Sequence, residues 1–171
     1  SLTDVDRLVD VIFEDESQNF GIVHKAIFNG RSRTVSPGGS AFSTYNDNSS
    51  CEGSSALDTF NGGSHTFGDL NRLSRATINN SSIYLKGGKH SVRELNNGTI
   101  YVEDKTTLNI NLINGGEIIA HTGSTINFLN DIKNLNLTVA SDTNRDYTVN
   151  LFFLGEIFIN NLTLNELLGL P

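Results

Sequence analysis

Asn79-Asn80-Ser81-Ser82-Ile83-Tyr84-Leu85 is echoed seventeen residues later by Asn96-Asn97-Gly98-Thr99-Ile100-Tyr101-Val102. Both segments run from a turn through a polar pair into an apolar–aromatic–apolar strand. Further apolar centres follow at Ile118, near Leu135 to Leu137 and near Leu154 to Phe158, a spacing close to eighteen. Second strands fall between them, around Ile110, at Ile126 to Phe128 and at Val149 to Leu151. Runs of four to seven residues bounded by Asn and Gly turns are the mark of β-strands, and two strands per repeat describe the pattern. A unit this short buries its apolar face only by stacking on its neighbours. The fold expected is all-β, either β-solenoid-like or a β-sandwich or meander in which eighteen residues are two hairpin arms. Of the 171 residues 22 are Asn, a residue that tolerates left-handed turns and forms amide ladders between stacked strands.

Alternation marks the wet face. In Thr107–Ile113 and Asn134–Val139 every second residue is apolar, so one face packs and the other shows Asn and Thr. Val149–Leu154 and Ile157–Ile159 are apolar on both faces, which suits either the centre of a core or an interface between chains. Upstream, residues 30–75 are rich in Gly, Ser, Asn and Asp, with turn clusters at Ser36-Pro37-Gly38-Gly39 and Asn61-Gly62-Gly63 and short strands expected at 20–29 and near 40–45. One short N-terminal helix is expected over 3–13, with Thr3 as cap and Val5, Leu8, Val9 and Ile12 on one face. The chain divides into an N-terminal helix and irregular β region, 1–75, and a repetitive β domain, 76–171. The absence of Met and the start at Ser1-Leu2-Thr3 suggest a piece of a longer protein.

Composition narrows the function. A net charge of −7 argues against nucleic acid, whose phosphates call for clustered Lys and Arg. The longest apolar stretch, Val149 to Gly155, is interrupted by Asn150 and falls short of the ~18 residues of a membrane span, so membrane insertion is not expected. With one cysteine, Cys51, there is no internal disulfide framework. His24, His65, His90 and His121 are scattered without metal-ligand spacing. Asp142-Thr143-Asn144-Arg145-Asp146 places three oxygen side chains at alternate positions like the start of a calcium loop, but Tyr147 replaces the turn glycine and Phe153 the bidentate glutamate. No metal or cofactor is expected. Carboxylate pairs for glycoside hydrolysis would be drawn from Glu52, Asp58, Asp69, Glu94, Glu103, Asp104 and Glu117; no catalytic residue is assigned. The candidate binding residues are Tyr45, Asn46, Asp47 and Asn48 in one loop and Asn144, Arg145, Asp146 and Tyr147 in another, since tyrosine offers contact area and Asn adaptable hydrogen bonds.

The Asn/Thr/Gly-rich repeats, exemplified by Leu95-Asn96-Asn97-Gly98-Thr99-Ile100-Tyr101-Val102 and Gly115-Gly116-Glu117-Ile118-Ile119-Ala120, resemble the distal parts of phage tail fibres and tail-tip host-specificity proteins. The likeness covers about residues 76–171 and lies in texture. They are similar, less closely, to the β-solenoid passengers of bacterial adhesins. The first resemblance implies a receptor-binding domain on the virion, a homotrimer at the tail tip whose terminal loops touch a bacterial outer-membrane protein or surface glycan; the 149–159 segment would suit a trimer interface. A bacterial adhesin fragment and a polysaccharide-degrading β-helix are the alternative readings.

Overall fold

The computed structural model describes residues 8–35, 38–66, 72–142 and 147–166. Every strand pairing among them is parallel, and the chain winds as a β-solenoid of about seven turns. The solenoid reading therefore holds and the antiparallel meander or sandwich does not. Through the first four turns there are three short strands per turn. The first side stacks β1 (Leu8–Val9), β4 (Ile22–His24), β7 (Gly39–Ala41), β10 (Ser54–Ala56) and β13 (Arg72–Ser74). The second carries β2 (Ile12–Phe13), β5 (Ile27–Phe28), β8 (Thr44–Tyr45) and β11 (Thr59–Phe60), and the third β3 (Gln18–Asn19), β6 (Arg33–Thr34), β9 (Ser50–Cys51) and β12 (His65–Thr66).

Beyond residue 75 the strands lengthen and run through the corners, as β14 (Ala76–Leu85), β15 (Gly88–Val102), β16 (Thr106–Ile113), β17 (Glu117–His121), β18 (Thr125–Phe128), β19 (Ile132–Ser141), β20 (Asn150–Phe153) and β21 (Ile157–Glu166). The ladders cross residue 75 without a break, since β14 pairs with both β11 and β12 on one edge and β15 on the other. The repeat is uneven. Leu8 stands beside Val23, Val23 beside Ser40, Ser40 beside Ser55 and Ser55 beside Leu73, steps of 15, 17, 15 and 18 residues.

The helix expected over 3–13 is not formed in its described part: Leu8–Val9 and Ile12–Phe13 are strands and Asp10 turns the corner between them at φ 55°; positions 3–7 lie outside the described residues. The physical reason is tertiary. Pairing with β4 and β5 satisfies this backbone and stacks Phe13 on Phe28, whereas a free helix that short is marginal.

Inside the coil like stacks on like. Phe13, Phe28, Tyr45 and Phe60 form a column of parallel rings with centroids 4.6, 4.5 and 4.8 Å apart, and Ile78, Leu95 and Ile113 extend it in the following turns. A second column runs Ile83, Ile100, Ile118 and Leu137, all buried. Each such side chain contributes about 1.5–3 kcal/mol by leaving water. Near the corner from the second side to the third, asparagines repeat the arrangement with hydrogen bonds: Asn29, Asn46, Asn61, Asn79, Asn96 and Asn114 are joined amide to amide at 2.7–3.0 Å. The amide ladder anticipated from composition is thus present across six turns.

Candidate functional site

Period-two alternation sends every second residue of the third side outward. Register aligns one outward row as Gln18, Arg33, Ser50, His65, Ser82, Thr99, Glu117, Asn136 and Asn161. A second row runs Tyr84, Tyr101, Ile119, Thr138 and Thr163. The first row is polar throughout, and in the second Tyr84 and Tyr101 stack with ring centroids 4.3 Å apart.

Three cavities open along this side. The first, about 340 Å³, is lined by Glu16, Gln18, Arg31, Arg33, Asn48, Ser50 and His65. The second, about 280 Å³, lies among Gly63, Ser64, His65, Asn80, Ser81, Ser82 and Tyr84. The third, about 350 Å³, lies among Glu117, Asn136, Leu137, Thr138, Asn161 and Thr163. The cavity of about 470 Å³ on the first side is different in kind, lined by Ile22 and by small residues such as Gly39, Ala41, Ser54 and Ala56.

The third side carries two ion pairs. Arg31 pairs with Glu16 at 3.1 Å and Arg33 with Glu52 at 3.5 Å; such solvent-facing pairs contribute little stability but leave both signs of charge on the wall. Thr138 donates to Glu117 Oε1 at 2.5 Å, fixing that carboxylate at the mouth of the third cavity. The Tyr101 hydroxyl is pushed above its ordinary pKa by burial and then by Tyr84 and Glu117, so it stays a neutral hydrogen-bonding group.

One corner departs from the regular winding. Thr107 pairs with Thr125 but Thr125 with Asn150, so the step grows from 18 residues to 25 between β19 and β20. Where this longer connection leaves β19, His121 Nε2 lies 3.2 Å from Asp142 and Nδ1 3.0 Å from the Thr122 carbonyl. Burial pulls the His121 pKa down, but the Thr122 carbonyl, Asp142 and Glu103 together outweigh it and the net shift is upward.

The sequence-predicted binding residues fare unequally. Tyr45 is a correction: it is wholly buried, its ring held between Phe28 and Phe60 and its hydroxyl 2.7 Å from Ser40 Oγ and 2.9 Å from Thr34 Oγ1. Its position in β8 points inward, which a turn-like reading of Ser43–Asn48 concealed. Asn46 is half-buried in the amide ladder, whereas Asp47 and Asn48 are exposed at the corner and Asn48 lines the first cavity. Asn144, Arg145 and Asp146 lie outside the described residues. Tyr147 is half-buried and packs on the core. Of the second loop only Tyr147 is described, and it follows β19, several turns from Asp47 and Asn48. Glu117, Asn136, Thr138, Asn161, Thr163 and the tyrosine pair were missed as a site, although the Asn/Thr alternation of 134–139 signalled the wet face to which Asn136 and Thr138 belong.

Among the carboxylates considered for hydrolysis, Asp58 is buried and accepts hydrogen bonds from Ser40 Oγ at 2.5 Å, Ser55 Oγ at 2.7 Å and the Ser43 amide at 2.8 Å. Burial nevertheless pushes its pKa up to about 6. Burial likewise pushes Cys51 up to about 12, leaving a thiol with no nucleophilic character. His90 takes a hydrogen bond on Nδ1 from the Leu73 amide at 3.1 Å and gives one from Nε2 to the Gly87 carbonyl at 2.7 Å; burial lowers its pKa, and it is a neutral structural imidazole. Among the described residues no three His, Cys, Asp or Glu side chains cluster as metal ligands, and no helix is long and apolar enough to cross a membrane. Comparison with protein-family models, curated proteins and solved structures finds no match.

Proposed function

We propose that this chain is a receptor-binding domain of a phage tail protein, carried at the tail tip of the virion and attaching to a bacterial outer-membrane protein or surface glycan. The observation that supports this best is the outward surface of the third side, where a polar row, a stacked tyrosine pair and three cavities line one wall of a rigid stack. Its donors and acceptors are carried on paired strands, so contact with a partner orders few groups and costs little conformational entropy. Tyrosine edges and Asn and Thr side chains supply contact area and hydrogen bonds without strong charge, and a chain of net charge −7 is not drawn indiscriminately to anionic cell surfaces.

The test is attachment of the fluorescently labelled chain to bacterial strains, including mutants lacking single outer-membrane proteins or surface glycans. Binding abolished in one receptor mutant, and weakened by Tyr101→Ala and Asn136→Ala with the fold retained, is the expected result. Absence of binding across a broad panel would sink the proposal. Undiminished binding by both variants would move the contact surface elsewhere.

A further inference from the structure

Glu117 is an acid without a counter-charge. It stands in the outward row of the third side, one turn beyond Thr99 and one before Asn136. It is half-buried, and among the described residues it enters no ion pair. The other acids of this wall, Glu16 and Glu52, are answered by Arg31 and Arg33, whereas no Lys or Arg lines the cavity of about 350 Å³ that Glu117 borders. The carboxylate is held in place. Thr138, only 7% exposed, donates its hydroxyl to Oε1, while Oε2 takes no hydrogen bond among the described residues. Beside it the Asn136 amide donates to the Gly116 carbonyl and the Asn161 amide to Asn136 Oδ1, both at 3.1 Å. Each of these fixed NH2 groups keeps a second hydrogen to give.

The geometry points to a binding site for an amino sugar, a carbohydrate residue whose protonated primary amine meets Glu117 Oε2 while the Asn and Thr groups pair its hydroxyls. This assignment rests on the proposed reading of the third side as a contact surface and names the chemistry recognised there. Charge selects the amine. A half-buried carboxylate has lost part of its hydration, and an ammonium group offsets that cost. A uronate or phosphate group would instead set like charge against Glu117. The chain's net charge of −7 acts in the same direction at longer range. The lining selects the sugar. Five of its six side chains are polar, Leu137 being the exception, so the entering group must offer hydrogen bonds around its whole edge. A lysine side chain brings one ammonium on a methylene stem and leaves the Asn and Thr groups unmatched. Tyr101 and Tyr84, stacked one and two turns back from Glu117, present ring edges and hydroxyls to the next sugar along the chain.

Isothermal titration of the whole chain with the trimer of β-1,4-linked glucosamine, at a pH where its amines are protonated, tests the assignment. A Kd at or below about 1 mM is expected, with no binding of the N-acetylated trimer in that range. Glu117→Gln keeps an acceptor for Thr138 and removes only the charge. Circular dichroism and the melting temperature should therefore hold while affinity falls about 10- to 100-fold, as for loss of one hydrogen bond to a charged group. Glu94→Gln removes a charge from the second side and should bind like wild type. No binding by the wild-type chain overturns the assignment. Equal losses in the two variants overturn it too, since they would mark diffuse attraction to an acidic protein. Tetralysine binding as tightly as the trimer overturns it in favour of a basic peptide. Cell attachment measured on the same proteins separates the two claims: attachment without glucosamine binding removes this assignment alone, and glucosamine binding without attachment removes the proposed function alone.

Discussion

Asp58 makes the stability of this fold depend on pH in a direction opposite to most carboxylates. Its folded pKa lies at about 6 against an ordinary 3.8. Between those values the folded chain holds a proton that the unfolded chain has released, so raising the pH favours unfolding. The stabilisation is fully present below about pH 4 and is lost as pH rises through about 6. About two pKa units at 1.36 kcal/mol each amount to roughly 3 kcal/mol, or ~6–12 °C in melting temperature for a chain of this length. Asp58→Asn removes the titration while keeping an acceptor for the Ser43 amide, and the Ser40 and Ser55 hydroxyls can turn to accept from its NH2. Thermal melts of both proteins from pH 4 to pH 8 give the readout: the variant should gain on wild type by that amount as pH rises. His90, whose lowered pKa acts in the opposite sense, is common to both and cancels. Parallel curves would refute the reasoning. A variant that loses ground with rising pH would show that the three hydrogen bonds outweigh burial.

Asn79→Ala removes a bond given to Asn61 and one accepted from Asn96, for a loss of about 2 kcal/mol at ~1 kcal/mol each; in urea unfolding the midpoint should fall further than for Asn114→Ala at the ladder's exposed end. Arg75 holds φ 51° at an exposed corner, so Arg75→Asn should raise the melting temperature by ~2–4 °C, on relief of about 1 kcal/mol of left-handed strain. Ile100→Ala opens a cavity between Ile83 and Ile118 and should cost about 2–5 kcal/mol by denaturant titration, with the other turns holding their circular dichroism.

Residues 76–141 were legible because their corners are written in residues that prefer them: Asn80 and Asn97 turn at φ 55° and 56°, and the strands between are long enough to alternate. Residues 8–75 were not, for two physical reasons. Lys25, Phe42, Leu57 and Arg75 occupy the first corner at φ 51–56°, a left-handed conformation that no propensity assigns to such side chains and that stacking on the neighbouring turns imposes. The strands there are two or three residues long, and Ser40, Ser43, Ser55, Thr34 and Asp58 stand inside the coil, so hydrophobic alternation fails as a guide. The wet face of the third side could be read from Asn134–Val139, but its alignment over nine positions depends on steps of 15 to 25 residues that only the winding reveals. Tyr45 was misplaced by the same short-strand ambiguity.

The asparagine column also has a direction. Each amide NH2 donates toward the preceding turn: Asn114 to Asn96, Asn96 to Asn79, Asn79 to Asn61, Asn61 to Asn46, Asn46 to Asn29, and Asn29 to Glu14 Oε1 at 3.0 Å. Six side-chain dipoles are therefore aligned head to tail, as peptide dipoles are in a helix, with the positive pole at the first turn. Glu14 meets that pole as an acidic residue meets a helix N-terminus. Because neighbouring bonds polarise one another, a turn inserted with its amide reversed would set donor against donor on one side and acceptor against acceptor on the other. The column thus makes the stack electrically polar along its axis and selects against added turns that do not carry an asparagine in the same orientation.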